Sequence, residues 1–226
     1  MSKQAIFYTH GMWEPIGSAV REQLLKCNIP IVSCSLEPLD FGKNIVLDRE
    51  PSRITMTEQI LTALENSTAD TIFFCEHDVL YNPTHFEFEL PSRDKFYYNT
   101  NVWRWNYPKN YACTYETSRS LSGLCVDREL ALKYYRERLE FLKKNGYRTK
   151  YGYEPGTNKR TDNYEFVDWK SKVPIIDIRH YGTITPRKCY RSSFVKPPDW
   201  STWKTTTMDK IEGCDYNLFL KMGLNK

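Results

Sequence analysis

The chain has 226 residues, of which 40% are hydrophobic and 27% charged, with a formal net charge of +4. That length supports one sizeable core. The mild charge does not by itself mark a nucleic-acid binder, though it suits an anionic ligand, and no stretch approaches the ~20 apolar residues that cross a bilayer. The seven cysteines are an odd number with no Cys-x-x-Cys pair. This argues against a zinc ribbon, a thioredoxin-like redox site and a disulfide framework, and fits free thiols in a reducing cytosol. The start, MSKQAIFYTHGMWEP, lacks a secretory pattern because His10 interrupts its short apolar stretch. The expectation is one domain over 1–226, soluble and cytoplasmic.

Residues 5–9 form a short apolar run that reads as a strand. Gly17 to Cys27 reads as a helix with Ala19, Val20, Leu24 and Leu25 as its stripe, ended by Asn28 and Pro30. Residues 29–35 read as a second strand, so the chain opens with a β-α-β unit. Residues 36–53 read as irregular, punctuated by Pro38, Gly42 and Pro51. A helix follows over 55–67, with Thr55 or Thr57 as its cap. Residues 70–75 are apolar on both faces, as a central parallel strand is.

Residues 96–107 alternate aromatic and polar side chains and read as an antiparallel strand or hairpin. Residues 120–146 hold the longest helix, capped by Asp127 and closed by Gly146. A polar loop fills 148–164, and 173–182 reads as another strand. Together these elements predict an α/β fold: a mixed, mostly parallel, Rossmann-like sheet flanked by helices.

In such sheets ligands gather beyond the carboxyl ends of the strands. EHD, residues 76–78, stands at such an end. Alternation sends Glu76 and Asp78 to one side and His77 to the other, where it would be structural. Two carboxylates on one side suit Mg2+ or Mn2+, or they are ordinary polar residues leaving a strand. IIDIRH, residues 175–180, ends in Arg179 and His180 in the same manner, and His180 reads either as a ligand or as a structural histidine. Glu154 and Asp162 lie in a loop containing Gly and Pro, where catalytic carboxylates often sit, as do plain solvated ones.

The blocks IPIVSCSLEPLDFGKNIVL, FFCEHDVLYNPTHF, FYYNTNVWRW, SGLC, YEPGT and DIRHYGTITPRK together resemble a family of small glycosyltransferase-like proteins of bacteria and phages. These are similar to nucleotide-sugar transferases of the GT-A fold. The resemblance runs from about residue 5 to residue 195. It implies a single GT-A-like domain that moves a sugar from a nucleoside-diphosphate sugar to an acceptor hydroxyl, with Mn2+ or Mg2+ as cofactor. EHD would stand for the D-x-D motif, with Asp78 as metal ligand, Glu76 as a further donor contact and His180 completing the metal shell.

Ser35, Lys43 and Asn44 are expected to line the donor pocket on the same sheet edge as Asp78. Lys43 and Arg187, with Lys188 and Arg191, are candidates for neutralising the leaving diphosphate. Glu154, then Asp162, are candidates for the base that an inverting transfer needs. The acceptor is open between a modified base in phage DNA, a glycan and a small molecule, and the oligomeric state is open too. Two other readings remain: a metal-dependent phosphoesterase or nuclease, and a nucleotide-sugar-binding module without catalysis.

Overall fold

The computed structural model describes residues 1–11, 16–106, 109–116, 119–148, 152–157, 163–180 and 200–213. In chain order the main elements are β1 (Lys3–Tyr8), α1 (Ile16–Leu25), β2 (Ile31–Ser35), β3 (Lys43–Val46), α2 (Arg53–Glu65), β4 (Thr71–Glu76), β5 (Val79–Leu80), β6 (Lys95–Asn99) and β7 (Val102–Asn106). They continue with β8 (Ala112–Thr114), β9 (Leu124–Asp127), α3 (Arg128–Asn145), β10 (Glu165–Trp169), β11 (Ile175–Arg179) and β12 (Lys204–Thr206).

Seven strands form the main sheet in the order β10-β6-β9-β4-β1-β2-β3, and β9 alone runs antiparallel to its neighbours. This is the mixed, mostly parallel α/β sheet expected from the sequence. Alternation along the central strands builds two cores at once. Ala5, Phe7, Phe73 and Cys75 face the layer that contains Ile16, Val20 and Leu24 of α1. Ile6, Tyr8, Ile72 and Phe74 face the layer that contains Met56, Ile60 and Leu64 of α2 and Leu132 and Tyr135 of α3. Helices therefore cover both faces, which is why the central strands carry no polar alternation.

Several local expectations are corrected. Residues 36–53 are not wholly irregular: β3 pairs parallel to β2 as a half-exposed edge. Gly42 delivers the chain to it at φ +63, where a Cβ would sit 2.5 Å from the Ile31 carbonyl oxygen. The cap of α2 is Ser52, whose Oγ accepts from the Thr55 amide at 3.0 Å, rather than Thr55 or Thr57. Capping takes the residue just before the first turn, and the helix starts two residues earlier than its apolar stripe. Asp127 caps α3 as expected, accepting from the Glu129 and Leu130 amides.

The region 96–107 is no hairpin. β6 belongs to the main sheet, while β7 joins a second sheet in the order β12-β8-β7-β11-β5. β11 also lies in this second sheet, parallel to β7. Three segments thus cross from one sheet to the other: β4 into β5, β6 into β7, and β10 into β11. β10, inside or beside the expected loop, escaped notice because its pattern is that of an exposed edge strand.

Two of the crossings, β6 into β7 and β10 into β11, are latched by one buried amide. The Asn99 Nδ2 donates to His85 Nδ1 at 3.0 Å and to Ser171 Oγ at 2.8 Å, and its Oδ1 accepts from the Asn101 and Ser171 amides. Gly123 packs against this point, where a Cβ would lie 2.7 Å from the Asn99 carbonyl oxygen. His85 is itself fully buried among Phe73, Tyr81, Phe86 and Trp169. Five cysteines among the described residues, 27, 34, 75, 113 and 125, are free and buried. No described helix is long and apolar enough to cross a membrane.

Burial lowers the His85 pKa to about 3. In the unfolded chain its imidazole takes a proton from about pH 6.5 downward. Between these values the unfolded state binds the extra proton, so stability rises with pH and is lost as pH falls. Wild-type stability should drop by on the order of 2 kcal/mol from this group between pH 7 and pH 4.5. Urea midpoints across that range should show a flatter profile for His85→Phe, and an identical slope in the two proteins would contradict the assignment.

Candidate metal centre

Strand β4 ends at Glu76, paired with Tyr8 of β1. The next two residues, His77 and Asp78, form a turn before β5 begins at Val79. β5 pairs antiparallel with β11, setting Val79 opposite Asp177 and Leu80 opposite Ile176. One residue further on, the Ile178 amide donates to the Asp78 carbonyl oxygen at 2.8 Å. This short ladder brings Asp78 to His180, which follows directly after β11. The His180 Nε2 lies 3.7 Å from the Asp78 Oδ2.

His77 belongs to the same cluster. One ligand atom each from His77, Asp78 and His180 lies within 4.8 Å of the other two, and the two imidazole rings have centroids 6.4 Å apart. The expectation that His77 points away is thereby corrected. Strand alternation stops at Glu76, and in a turn it no longer dictates the side.

The donor set fits a divalent cation. Ligand distances of about 2.1 Å place neighbouring donors roughly 3 to 4 Å apart; the Asp78–His180 pair already stands at 3.7 Å, and the His77 donor lies within 4.8 Å of both. Burial pushes the Asp78 carboxyl up. The neighbouring His77 and His180 imidazoles and the Arg179 guanidinium outweigh that and hold it below the usual range. It is therefore an anionic ligand at neutral pH. Glu76 behaves oppositely. Burial first, then the Asp78 and Asp177 carboxylates, push it up to about 8. Its Oε1 accepts from the Tyr8 hydroxyl at 3.1 Å. Burial and its neighbours thus move the two adjacent carboxyls in opposite directions, Asp78 down and Glu76 up.

Beside the triad lies a second buried group that the sequence reading only half found. Asp177, 4% exposed, makes a close contact with the Arg179 Nη2 and lies 3.9 Å from the Arg104 Nε. Burial pushes the Asp177 carboxyl up, and the two guanidiniums pull it back in part. Arg104 was hidden in the aromatic run VWRWN. A single arginine between two tryptophans was the available signal.

The remaining candidates scatter. Ser35 stands at the carboxyl end of β2, but its Oγ is engaged with the Glu37 carbonyl and the Asn44 Nδ2. Asn44 also holds Ser33 and the Leu39 amide, bracing the turn into β3. Lys43 is not on the expected edge. It opens β3 level with Val32, and its amine donates to Asn66 just after α2, at the end where the strands begin. A parallel strand entered from that side starts at the edge opposite Asp78. Glu154 accepts from the Tyr153 amide, and the carbonyl of the next residue, Pro155, accepts from the Tyr98 hydroxyl of β6 at 2.8 Å. Asp162, Arg187, Lys188 and Arg191 lie outside the described residues.

No protein-family model matches the chain, and no curated protein matches it. Solved structures do resemble it. A glycosyltransferase involved in the glycosylation of the major capsid of PBCV-1 aligns over 78% of this chain and 93% of its own, with 8% identity and a TM-score of 0.49. The glycosyltransferase GlyE of Streptococcus pneumoniae TIGR4 aligns over 74% of this chain and 45% of its own, with 10% identity and a TM-score of 0.42. A Drosophila beta-1,4-galactosyltransferase 7 mutant, in complex with manganese, UDP-Gal and xylobiose, aligns over 66% of this chain and 63% of its own, with 15% identity and a TM-score of 0.35. The similar structures also include nucleotidyltransferases. At such identities these likenesses concern chain path alone.

If the triad holds a cation, Mn2+ should raise the melting temperature of the wild-type protein in a saturable manner. The same titration on His77→Ala and on His180→Ala should give a shift that is strongly reduced. A full shift in His77→Ala would exclude that residue from the centre.

Proposed function

We propose that the chain is a metal-dependent glycosyltransferase that moves a sugar from a nucleoside-diphosphate sugar to an acceptor hydroxyl. The observation that carries this reading is the His77, Asp78 and His180 cluster at the carboxyl edge of a mostly parallel sheet. The sequence blocks that resemble GT-A transferases supply the reaction class. Two imidazoles and one carboxylate favour a first-row transition ion such as Mn2+ over Mg2+. When bound, the ion supplies Lewis-acid stabilisation of the charge that develops on the departing diphosphate.

The chain's own residues do the rest. Asp78, kept anionic by its neighbours, offers a charged ligand without first losing a proton. Ile178 fixes the Asp78 backbone, so the carboxylate is positioned before the donor arrives. Glu76 is hydrogen-bonded to Tyr8, and its burial favours the neutral form. Glu154 is the candidate base for the acceptor hydroxyl, with Asp162 as the alternative. The acceptor hydroxyl is that of a glycan, a modified base or a small molecule. The phosphoesterase reading would use the same donors, but sites of that class often pair two metals. Among the described residues His77, Asp78 and His180 form the one such group.

The test is release of nucleoside diphosphate from a panel of UDP-, GDP- and dTDP-sugars, with Mn2+ and with a chelator. Wild-type turnover should require the metal. Asp78→Ala should lose at least about a hundredfold while keeping its far-UV circular dichroism, because this carboxylate stands at a strand end rather than in the apolar core. Undiminished turnover in Asp78→Ala, or metal-dependent phosphodiester cleavage in place of sugar transfer, would refute the reading.

A further inference from the structure

β7, β11 and β5 lie side by side, and their registers align Arg104 with Asp177 and Asp177 with Val79. Adjacent strands stand about 4.8 Å apart, so this line carries Arg104 toward the turn that holds Asp78. Arg179 shares a face of β11 with Asp177. The line is charged and buried: Arg104 is 6% exposed, Arg179 8% and Asp177 4%. Its electrostatics are joined to the triad, since Arg179 acts on the Asp78 carboxylate and Asp78 acts on Asp177.

Hydrogen bonding here is incomplete. Two guanidiniums share the Asp177 carboxylate, and Arg179 takes the close contact. Arg104 keeps 3.9 Å from the same oxygen, beyond hydrogen-bond reach. Its guanidinium carbon lies 4.6 Å from the centroid of the Tyr115 ring, which orients the planar group. The Arg104 Nη1 is buried with no hydrogen-bond partner among the described residues. Burying a guanidinium without completing its hydrogen bonds is costly. An unpartnered guanidinium N–H also suits a phosphate oxygen, which it can meet with a charge-assisted hydrogen bond.

We propose that Arg104, with Arg179 beside it, forms an anion subsite that receives the diphosphate of the donor next to the metal triad. This rests on the transferase reading above, and it moves the positive charge for the leaving group from Lys43 to the second sheet. Asp177 then holds Arg179 by its close contact, and the Tyr115 ring orients Arg104.

Calorimetric titration of the full chain with inorganic pyrophosphate, with and without Mn2+, tests it. Wild type should bind pyrophosphate. Arg104→Gln should weaken that binding by about ten- to a hundredfold, the loss of charge-assisted hydrogen bonds, and should leave the affinity for Mn2+ alone within about twofold. Equal pyrophosphate affinity in the two proteins, or no binding by wild type, would overturn the proposal. If Mn2+ does not bind while pyrophosphate binds in an Arg104-dependent way, the metal reading falls and the anion subsite stands. A wild-type structure with Mn2+ and pyrophosphate decides the matter without any variant. It should show a phosphate oxygen at hydrogen-bond distance from the Arg104 Nη1, and pyrophosphate located elsewhere would overturn the assignment.

Discussion

A two-residue strand pairing holds the candidate centre together. Val79 and Leu80 lie against Asp177 and Ile176, and the Ile178 amide adds one bond to the Asp78 carbonyl. Without that ladder, Asp78 would leave the main sheet on a free turn and His180 would end a strand of the other sheet. Residues about 100 positions apart meet because β4 and β11 each contribute to the seam between two sheets. The same seam explains the cost of the arrangement. It gathers Asp78, Asp177, Arg104, Arg179 and His180, all buried, where water cannot screen them and each charge needs a protein or ligand partner.

The seam itself depends on the Asn99 latch. Three segments change sheets, and backbone groups at the crossings fall outside either ladder. Asn99 and Ser171 collect those of two crossings, β6 into β7 and β10 into β11: the Asn101 amide, the Ser171 amide and the Ser171 hydroxyl all reach one carboxamide. Every polar atom of the Asn99 side chain is used, which is what makes a fully buried amide tolerable. His85 closes the set from below, neutral because nothing solvates its charged form.

What the sequence made legible follows the physics of each signal. TIFFC reads as a central parallel strand because it is apolar on both sides, and β4 is central, parallel to β1 and antiparallel to β9. Asp127 and Gly146 mark the ends of α3 because caps are chosen locally. β3 and β10 were missed because half-exposed edge strands carry little apolar signal. The split between β6 and β7 was invisible for another reason. Strand content is local, whereas sheet membership is decided by partners far along the chain. His77 was misplaced by applying strand periodicity one residue past the strand's end, and Arg104 was passed over because a charged residue in an aromatic strand looks exposed until its neighbours in space are known. The pairing of Asp78 with His180 was anticipated from two strand ends that share chemistry, and the structure sets these side chains 3.7 Å apart.

The central claim is that His77, Asp78 and His180 bind one divalent ion together. Pulsed electron paramagnetic resonance of the protein loaded with one equivalent of Mn2+ tests it most directly, because it detects nitrogen nuclei bound to the ion. Two imidazole nitrogens coupled to a single Mn2+ are predicted, falling to one in His180→Ala. A spectrum with no nitrogen coupling, or one unchanged in His180→Ala, would contradict the account.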